Sequence, residues 1–135
     1  MSKFVATDFA IEISGTDFSS SIAAATLEIS ADEQETTAFG ADYRTRIAGL
    51  KDASITLDFH QDFGASSVDA TLFPLLGSAV AFTISPTSDA VSATNPAYSG
   101  TAIVTSYSPF SSSVGDLATL SVTWPVSGAI SRATA

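Results

Sequence analysis

The sequence predicts a mainly β protein, an antiparallel β-sandwich or barrel-like subunit with one short flanking α-helix and a long inter-strand loop. Three observations predict it. Six short runs alternate apolar and polar residues at fairly regular spacing, the period of a half-buried strand. One segment, 66–77, combines a helical start signal, an apolar face and a stop. Between the second and third strand runs lies 31–52, ADEQETTAFGADYRTRIAGLKD, too polar and punctuated for a strand and lacking a helical stripe.

In the first run Phe9, Ile11 and Ile13 alternate with Asp8, Ala10, Glu12 and Ser14, and Gly15-Thr16-Asp17 offers a turn. In the second, Ala23, Ala25, Leu27 and Ile29 alternate with Ala24, Thr26, Glu28 and Ser30. Ile55, Leu57 and Phe59 then alternate with Thr56, Asp58 and His60. Val80, Phe82 and Ile84 form a fourth strand, stopped by Pro86. The segment 101–107 places Ile103 and Val104 on opposite faces, implying burial on both sides. Leu120, Val122 and Trp124 finish the series, and Pro125 ends the ladder because it has no N–H to donate. Six strands so spaced indicate an antiparallel sandwich or barrel.

For the helix, Ser66-Ser67-Val68-Asp69 fits a capping box, in which hydroxyl and acid satisfy orphan N–H groups of the first turn. Val68, Leu72, Leu75 and Leu76 share a face, and Gly77 is placed to end it. Pro74 opposes this, since a proline in a helix interior costs about 3 kcal/mol. The helix is therefore expected to be short, or kinked at Phe73. Residues 85–95 and the segment from Ser108 read as polar loops. There is no internal repeat and no linker, so 1–135 is expected to be a single domain, with 1–7 and 127–135 as flexible terminal arms.

A chain of 135 residues can bury roughly two-thirds of its unfolded surface in one core. No run approaches the roughly 18 apolar residues of a membrane-spanning helix. The start, MSKFVATDFAIEIS, places acids where an export signal needs an unbroken apolar core, so synthesis and assembly in the cytoplasm are expected. There is no cysteine, which removes disulfides, thiolate metal sites and cysteine nucleophiles. The net charge of −9 is uneven: residues 8–69 hold twelve acids against the three bases Arg44, Arg46 and Lys51. Such a chain cannot gain DNA affinity by neutralising phosphates and releasing counterions.

Candidate chemistry is thin. His60, the one histidine, falls between Asp58 and Asp62 in alternation, an arrangement open to a general base or a metal ligand. A single His without Cys makes a poor zinc site, and a solvated cross-strand residue is the stronger reading. Asp32, Glu33 and Glu35 lack the spacing that wraps a calcium ion. No phosphate loop and no Gly-x-Ser-x-Gly elbow is present, so neither an enzyme nor a cofactor is expected. The polar strand faces carry Glu12, Glu28, Asp58 and Asp62, which share one face if the strands align. Like charges directly opposite each other cost stability. Such a face is either a solvated surface or a field that repels phosphates.

The connection 31–52 is the most informative stretch. Structureless connections beyond roughly 12–15 residues are uncommon in compact domains and usually functional or disordered. This one carries Phe39, Tyr43, Ile47 and Leu50 among its charges, groups that need a surface to bury against. Either it folds back on its own sandwich, or it is an assembly arm packing on a neighbouring copy. A domain this small has little spare surface, which favours the arm.

The order of these pieces resembles a known family. A Phe-x-Ile-x-Ile strand with a Thr-Asp-Phe turn leads to the loop ADEQETTAFG, then YRTRIAGLKDASITLDFHQDF, a short helix and a closing LATLSVTWPVSGAISRATA. It resembles the major tail tube proteins of long-tailed, non-contractile bacteriophages over nearly the whole chain, most specifically in the Thr-x-Phe-Gly … Gly-Leu-Lys-Asp-x-Ser-x-Thr-Leu run at 37–57. The resemblance implies that six subunits form a ring, that their inner sheets join around a lumen, and that rings stack into a tube within the virion tail. It implies inter-subunit anchors at Phe39, Tyr43, Ile47 and Leu50, with Arg44, Arg46 and Lys51 meeting acids on the next subunit. Glu12, Glu28, Asp58 and Asp62 become lumen-facing candidates past which genomic DNA travels without specific binding. The other partners it implies are tail tip, tail terminator and tape-measure proteins; no cofactor and no membrane insertion are implied.

Two further readings stay open. The inner-tube protein of a contractile tail or secretion machine shares the fold and ring assembly. A soluble carbohydrate- or cell-surface-binding module would instead gather exposed aromatics in a cleft, with Phe18, Tyr98, Tyr107 and Phe110 as candidates.

Overall fold

The computed structural model describes residues 9–65 and 67–134. The strands are β1 (Ala10–Ile13), β2 (Thr16–Asp17), β3 (Ile22–Glu35), β4 (Arg46–His60), β5 (Ala79–Ser85), β6 (Ala97–Ile103), β7 (Thr119–Pro125) and β8 (Ser131–Ala133), with one short helix, α1 (Val68–Leu72). They build two antiparallel sheets, one ordered β2-β1-β5-β6-β8 and the other β3-β4-β7.

The core forms where alternation turns apolar side chains inward from both sheets. Ile55, Leu57 and Phe59 of β4 and Leu120, Val122 and Trp124 of β7 are buried, together with Ile11, Ile13, Val80 and Phe82 of the other sheet. Val68 and Leu72 of α1 complete it. The period-two reading of these strands therefore holds, and the fold is mainly β with one short helix. Gly100 in β6 lets the chain pass closely, because a Cβ there would lie 2.8 Å from the Ile130 Cδ1 and 3.2 Å from the Phe82 ring.

Three expectations change, and that of a short helix is met. The connection 31–52 is not irregular: β3 and β4 continue through most of it as a paired ribbon, leaving 36–45 as its tip. The strand expected at 101–107 lies at Ala97–Ile103, and Val104 is buried just beyond it. The helix stops at Leu72, and Phe73–Leu75 tightens into a 3-10 turn carrying Pro74, in line with the cost of an interior proline. The C-terminal arm expected at 127–135 is instead paired: Ser127 N–H donates to Thr101 O at 2.7 Å, and β8 pairs with β6 through Ala97↔Ala133. Of the proposed capping box, Ser66 lies outside the described residues, as does the arm at 1–7; Ser67 occupies the N-cap without a side-chain bond.

Asp69 serves another purpose. Its carboxylate accepts the Tyr107 O–H at 2.6 Å, while Gln61 Nε2 donates to the Tyr107 Oη at 3.1 Å and to Pro109 O at 2.9 Å. This network ties the helix and the end of β4 to the irregular segment after β6. Burial, then the bond to Asp69, raises the Tyr107 phenol above its ordinary 10.0. A raised folded pKa contributes stability that is present below about pH 10 and lost as pH rises through the folded value. Tyr107→Phe is expected to cost about 1–2 kcal/mol at neutral pH and to flatten the alkaline decline. Urea melts at pH 8 and pH 11 check this; an unchanged alkaline slope would assign the decline to other groups.

Candidate assembly surface

The β3–β4 hairpin leaves the body of the protein after the pair Ile29↔Ala53, and every residue of 30–52 beyond it is exposed. Pairing continues to Glu35↔Arg46, interrupted where Ala31↔Lys51 gives way to Glu33↔Ala48. There Asp32 alone faces both Gly49 and Leu50, a bulge that twists the ribbon. Glycine suits this spot, since a Cβ on Gly49 would sit 3.3 Å from the Asp32 Cβ and 3.4 Å from the Gln34 Cγ. The tip is clamped by Thr36 and Thr45: Thr36 N–H donates to Thr45 O at 2.7 Å, their hydroxyls lie 2.7 Å apart, and Thr45 N–H donates to the Thr37 hydroxyl at 2.9 Å. Gly40 then turns the loop at φ 88°.

The expected anchors are displayed rather than buried. Phe39 is 109% exposed, Tyr43 85%, Leu50 81% and Ile47 60%. A hairpin folded back on its own sandwich is thereby excluded. The ribbon thus displays large apolar groups in water with no core beneath it, the surface character that marks interaction sites in general.

Two of the three hairpin bases are paired within the subunit. Arg46 pairs with Glu33 across the ribbon, and the Arg44 Nε lies 3.7 Å from a Glu35 carboxylate oxygen. Both pairs are solvated and each is worth at most about 1 kcal/mol, so they brace the hairpin and can exchange partners cheaply. Lys51, at the hairpin root, forms no ion pair among the described residues.

The four acids do not share one face, which corrects the alignment expected for them. Glu28 and Asp58 lie on the outer face of the three-stranded sheet, opposite Ser54 and opposite Ala24 and Ser121 respectively, so neither confronts a like charge. Thr26, Thr56 and Thr123 line the same face, the last two with hydroxyls 3.2 Å apart. Glu12 belongs to the other sheet, opposite Asp17. The Asp17 carboxylate accepts the Ser19 hydroxyl and backbone N–H, and these bonds hold it below the usual carboxylate range. Asp62 lies past the end of β4, where its carboxylate accepts the Gly64 N–H at 2.8 Å. Strand alternation identifies a polar face but not the sheet that owns it.

His60 ends β4 with its Nδ1 buried and, among the described residues, without a hydrogen-bond partner. Among the described residues no group of three or more His, Cys, Asp and Glu side chains could hold a metal ion. The aromatics proposed for a binding cleft are dispersed. Phe18 is buried edge-on against Phe59, with centroids 5.7 Å apart. Tyr107 is engaged with Asp69, and Tyr98 lies under Arg132 at 6.0 Å. Phe110 stacks on Phe63. Two features escaped the sequence because they join distant segments: the groove beside the hairpin root, lined by Ile29, Lys51, Tyr98 and Arg132, and the Phe63–Phe110 pair.

No family model matches the chain, and no curated protein matches it in sequence. Among solved structures, it is similar to a chain in the virion of a native gene transfer agent particle, with a TM-score of 0.75 and 16% identity over 94% of this chain and 96% of that one. It is also similar to a chain in the tail of an empty gene transfer agent particle, computed with helical refinement and C6 symmetry, at TM-score 0.72 and 19% identity over 95% and 96%. At these identities the likeness establishes a shared fold across essentially the whole chain. Among the described residues, no helix is long and apolar enough to cross a membrane.

Proposed function

We propose that this protein is a structural tail tube subunit of a siphophage-like particle, assembled in the host cytoplasm, which forms six-fold rings that stack around a channel for DNA. The observation that carries this reading is the likeness over 94% of the chain to a protein of a gene transfer agent virion, together with the C6 tail to which the fold also corresponds. The hairpin supports it, because Phe39, Tyr43, Ile47 and Leu50 are exposed on their own chain and would gain burial against a neighbouring copy. The sheet edges support it as well. β3 and β7 both run antiparallel to β4, hence parallel to each other, and among the described residues neither pairs with a further strand. Open edges of this kind are templates for pairing between chains. On this reading the protein's role is mechanical rather than catalytic, and its other partners are the tip, terminator and tape-measure proteins that bound a tube.

The outer face of β3-β4-β7, with Glu28 and Asp58, is the face we assign to the lumen. DNA carries one charge per roughly 1.7 Å of axis, so even weak adhesion per step accumulates along a tube. Replacing both acids with lysine is expected to leave tubes intact and slow DNA ejection, most strongly at low salt. Ejection at the wild-type rate would remove this face from the lumen.

Negative-stain electron microscopy of the purified protein at high concentration tests the assignment. Hollow tubes of uniform width, or six-fold rings, are the expected result. Isolated monomers that persist when a tail-tip complex is supplied would overturn it.

A further inference from the structure

Two exposed features at opposite ends of the three-stranded sheet are left unexplained by the hairpin tip. At the hairpin root, Ile29, Lys51, Tyr98, Ile130 and Arg132 border a groove of about 820 Å³. Lys51 and Arg132 make it cationic; Arg132 lies over the Tyr98 ring, and among the described residues neither base has a carboxylate partner. Asp52, the one acid on its rim, accepts the Ala53 N–H at 2.8 Å and offsets one of the two bases, so the groove keeps a net positive charge.

The far end, where β4 leaves the sheet and β7 enters it, has the opposite character. Phe63 and Phe110 stack with centroids 5.5 Å apart, yet are 56% and 85% exposed. Asp62 and Asp116 are exposed on the same two loop segments. No lysine or arginine joins them there, because the described ones (Arg44, Arg46, Lys51 and Arg132) lie on the hairpin or bordering the groove at its root; His60, at the end of β4, is half-buried. One end thus offers two cations and an open apolar trough, the other two anions and a preformed aromatic knob.

We propose that the groove at the hairpin root seats the Phe63–Phe110 pair of a second copy of this chain, with Lys51 and Arg132 meeting that copy's Asp62 and Asp116. Every copy carries both halves, so the contact is head-to-tail and links each copy to two others, as a closed ring or a stack of rings requires. Stacking the rings before docking reduces the side-chain entropy lost on binding, and opposite charges at the rim set the register and speed encounter. This inference rests on the tube-subunit reading and assigns it a contact separate from the hairpin tip.

The absence of cysteine allows a direct test. Ser113 and Ser127 are exposed, one near each half of the contact in sequence or lining, and among the described residues neither hydroxyl makes a hydrogen bond. A chain carrying Ser113→Cys and Ser127→Cys, oxidised with copper–phenanthroline, is expected to give a covalent ladder on a non-reducing gel. Each single variant is expected to give no species beyond a dimer, and a mixture of the two single variants to favour the mixed dimer. Adding Lys51→Glu is expected to slow laddering about tenfold, and adding Asp116→Lys to that chain to restore it. Tubes in the microscope without a ladder would overturn this contact and leave the tube reading standing. A ladder without tubes, with a tail-tip complex supplied, would support the contact and overturn the tube reading. Neither ladder nor tubes would overturn both.

Discussion

Phe39→Asp and Leu50→Asp subunits will fold like the wild type and fail to assemble. At 109% and 81% exposure these side chains contribute nothing to the packing of their own chain, so circular dichroism and thermal midpoint should be unchanged. Against a neighbour, burying each is worth about 1.5–3 kcal/mol, and the aspartate adds the cost of desolvating a charge. One such loss per contact shifts an association equilibrium by one to two orders of magnitude at about 1.4 kcal/mol per decade, and a polymer repeats the loss at every subunit. The expected outcome by sedimentation is a monomer at concentrations where the wild type forms tubes. A variant that polymerises normally would remove the hairpin from the interface, and one that unfolds would make these residues part of the core.

Trp124→Ala acts on the opposite term, the fold itself. Trp124 is 1% exposed near the C-terminal end of β7, faces Ile55 across the ladder, and its indole N–H donates to Ser106 O at 3.0 Å. Truncation leaves a large cavity and an unsatisfied carbonyl, a loss of about 3–5 kcal/mol. Set against the roughly 5–15 kcal/mol of a typical domain, this threatens folding outright. Trp124→Phe keeps most of the packing and is expected to cost about half as much. Urea midpoints distinguish the two variants. An alanine variant losing under about 1 kcal/mol would show that the site collapses to fill the space.

The strands that build the core were legible because one face of each is buried. Ile55-Thr56-Leu57-Asp58-Phe59 alternates in sequence as it does in exposure, and so does Leu120 to Trp124. The hairpin was illegible for the same physical reason. Both faces of its ribbon are solvated, so nothing selects apolar residues at every second position, and the bulge at Gly49 shifts the alternation where it might have shown. Hydrophobic period reports burial, not backbone conformation. The anchors were nonetheless identifiable, since Phe39, Tyr43, Ile47 and Leu50 are expensive to leave in water whatever the backbone does. Grouping the acids failed at a different step: Glu12 and Glu28 are both outward-facing, and only long-range pairing places them on separate sheets.

The hairpin has a kinetic consequence. A two-stranded ribbon without a core beneath it is held by its own ladder, the Thr36–Thr45 clamp and solvated ion pairs, none of them strong. Two free subunits that meet must order two arms with few contacts in return, whereas a subunit reaching a completed end docks its arm on a surface already formed. Initiation is therefore penalised relative to growth. A subunit of the proposed tube is therefore expected to accumulate as a soluble reservoir below a critical concentration, to show a lag above it, and to convert without delay once a template end is supplied, so that the timing of assembly is governed by the seed rather than by the subunit.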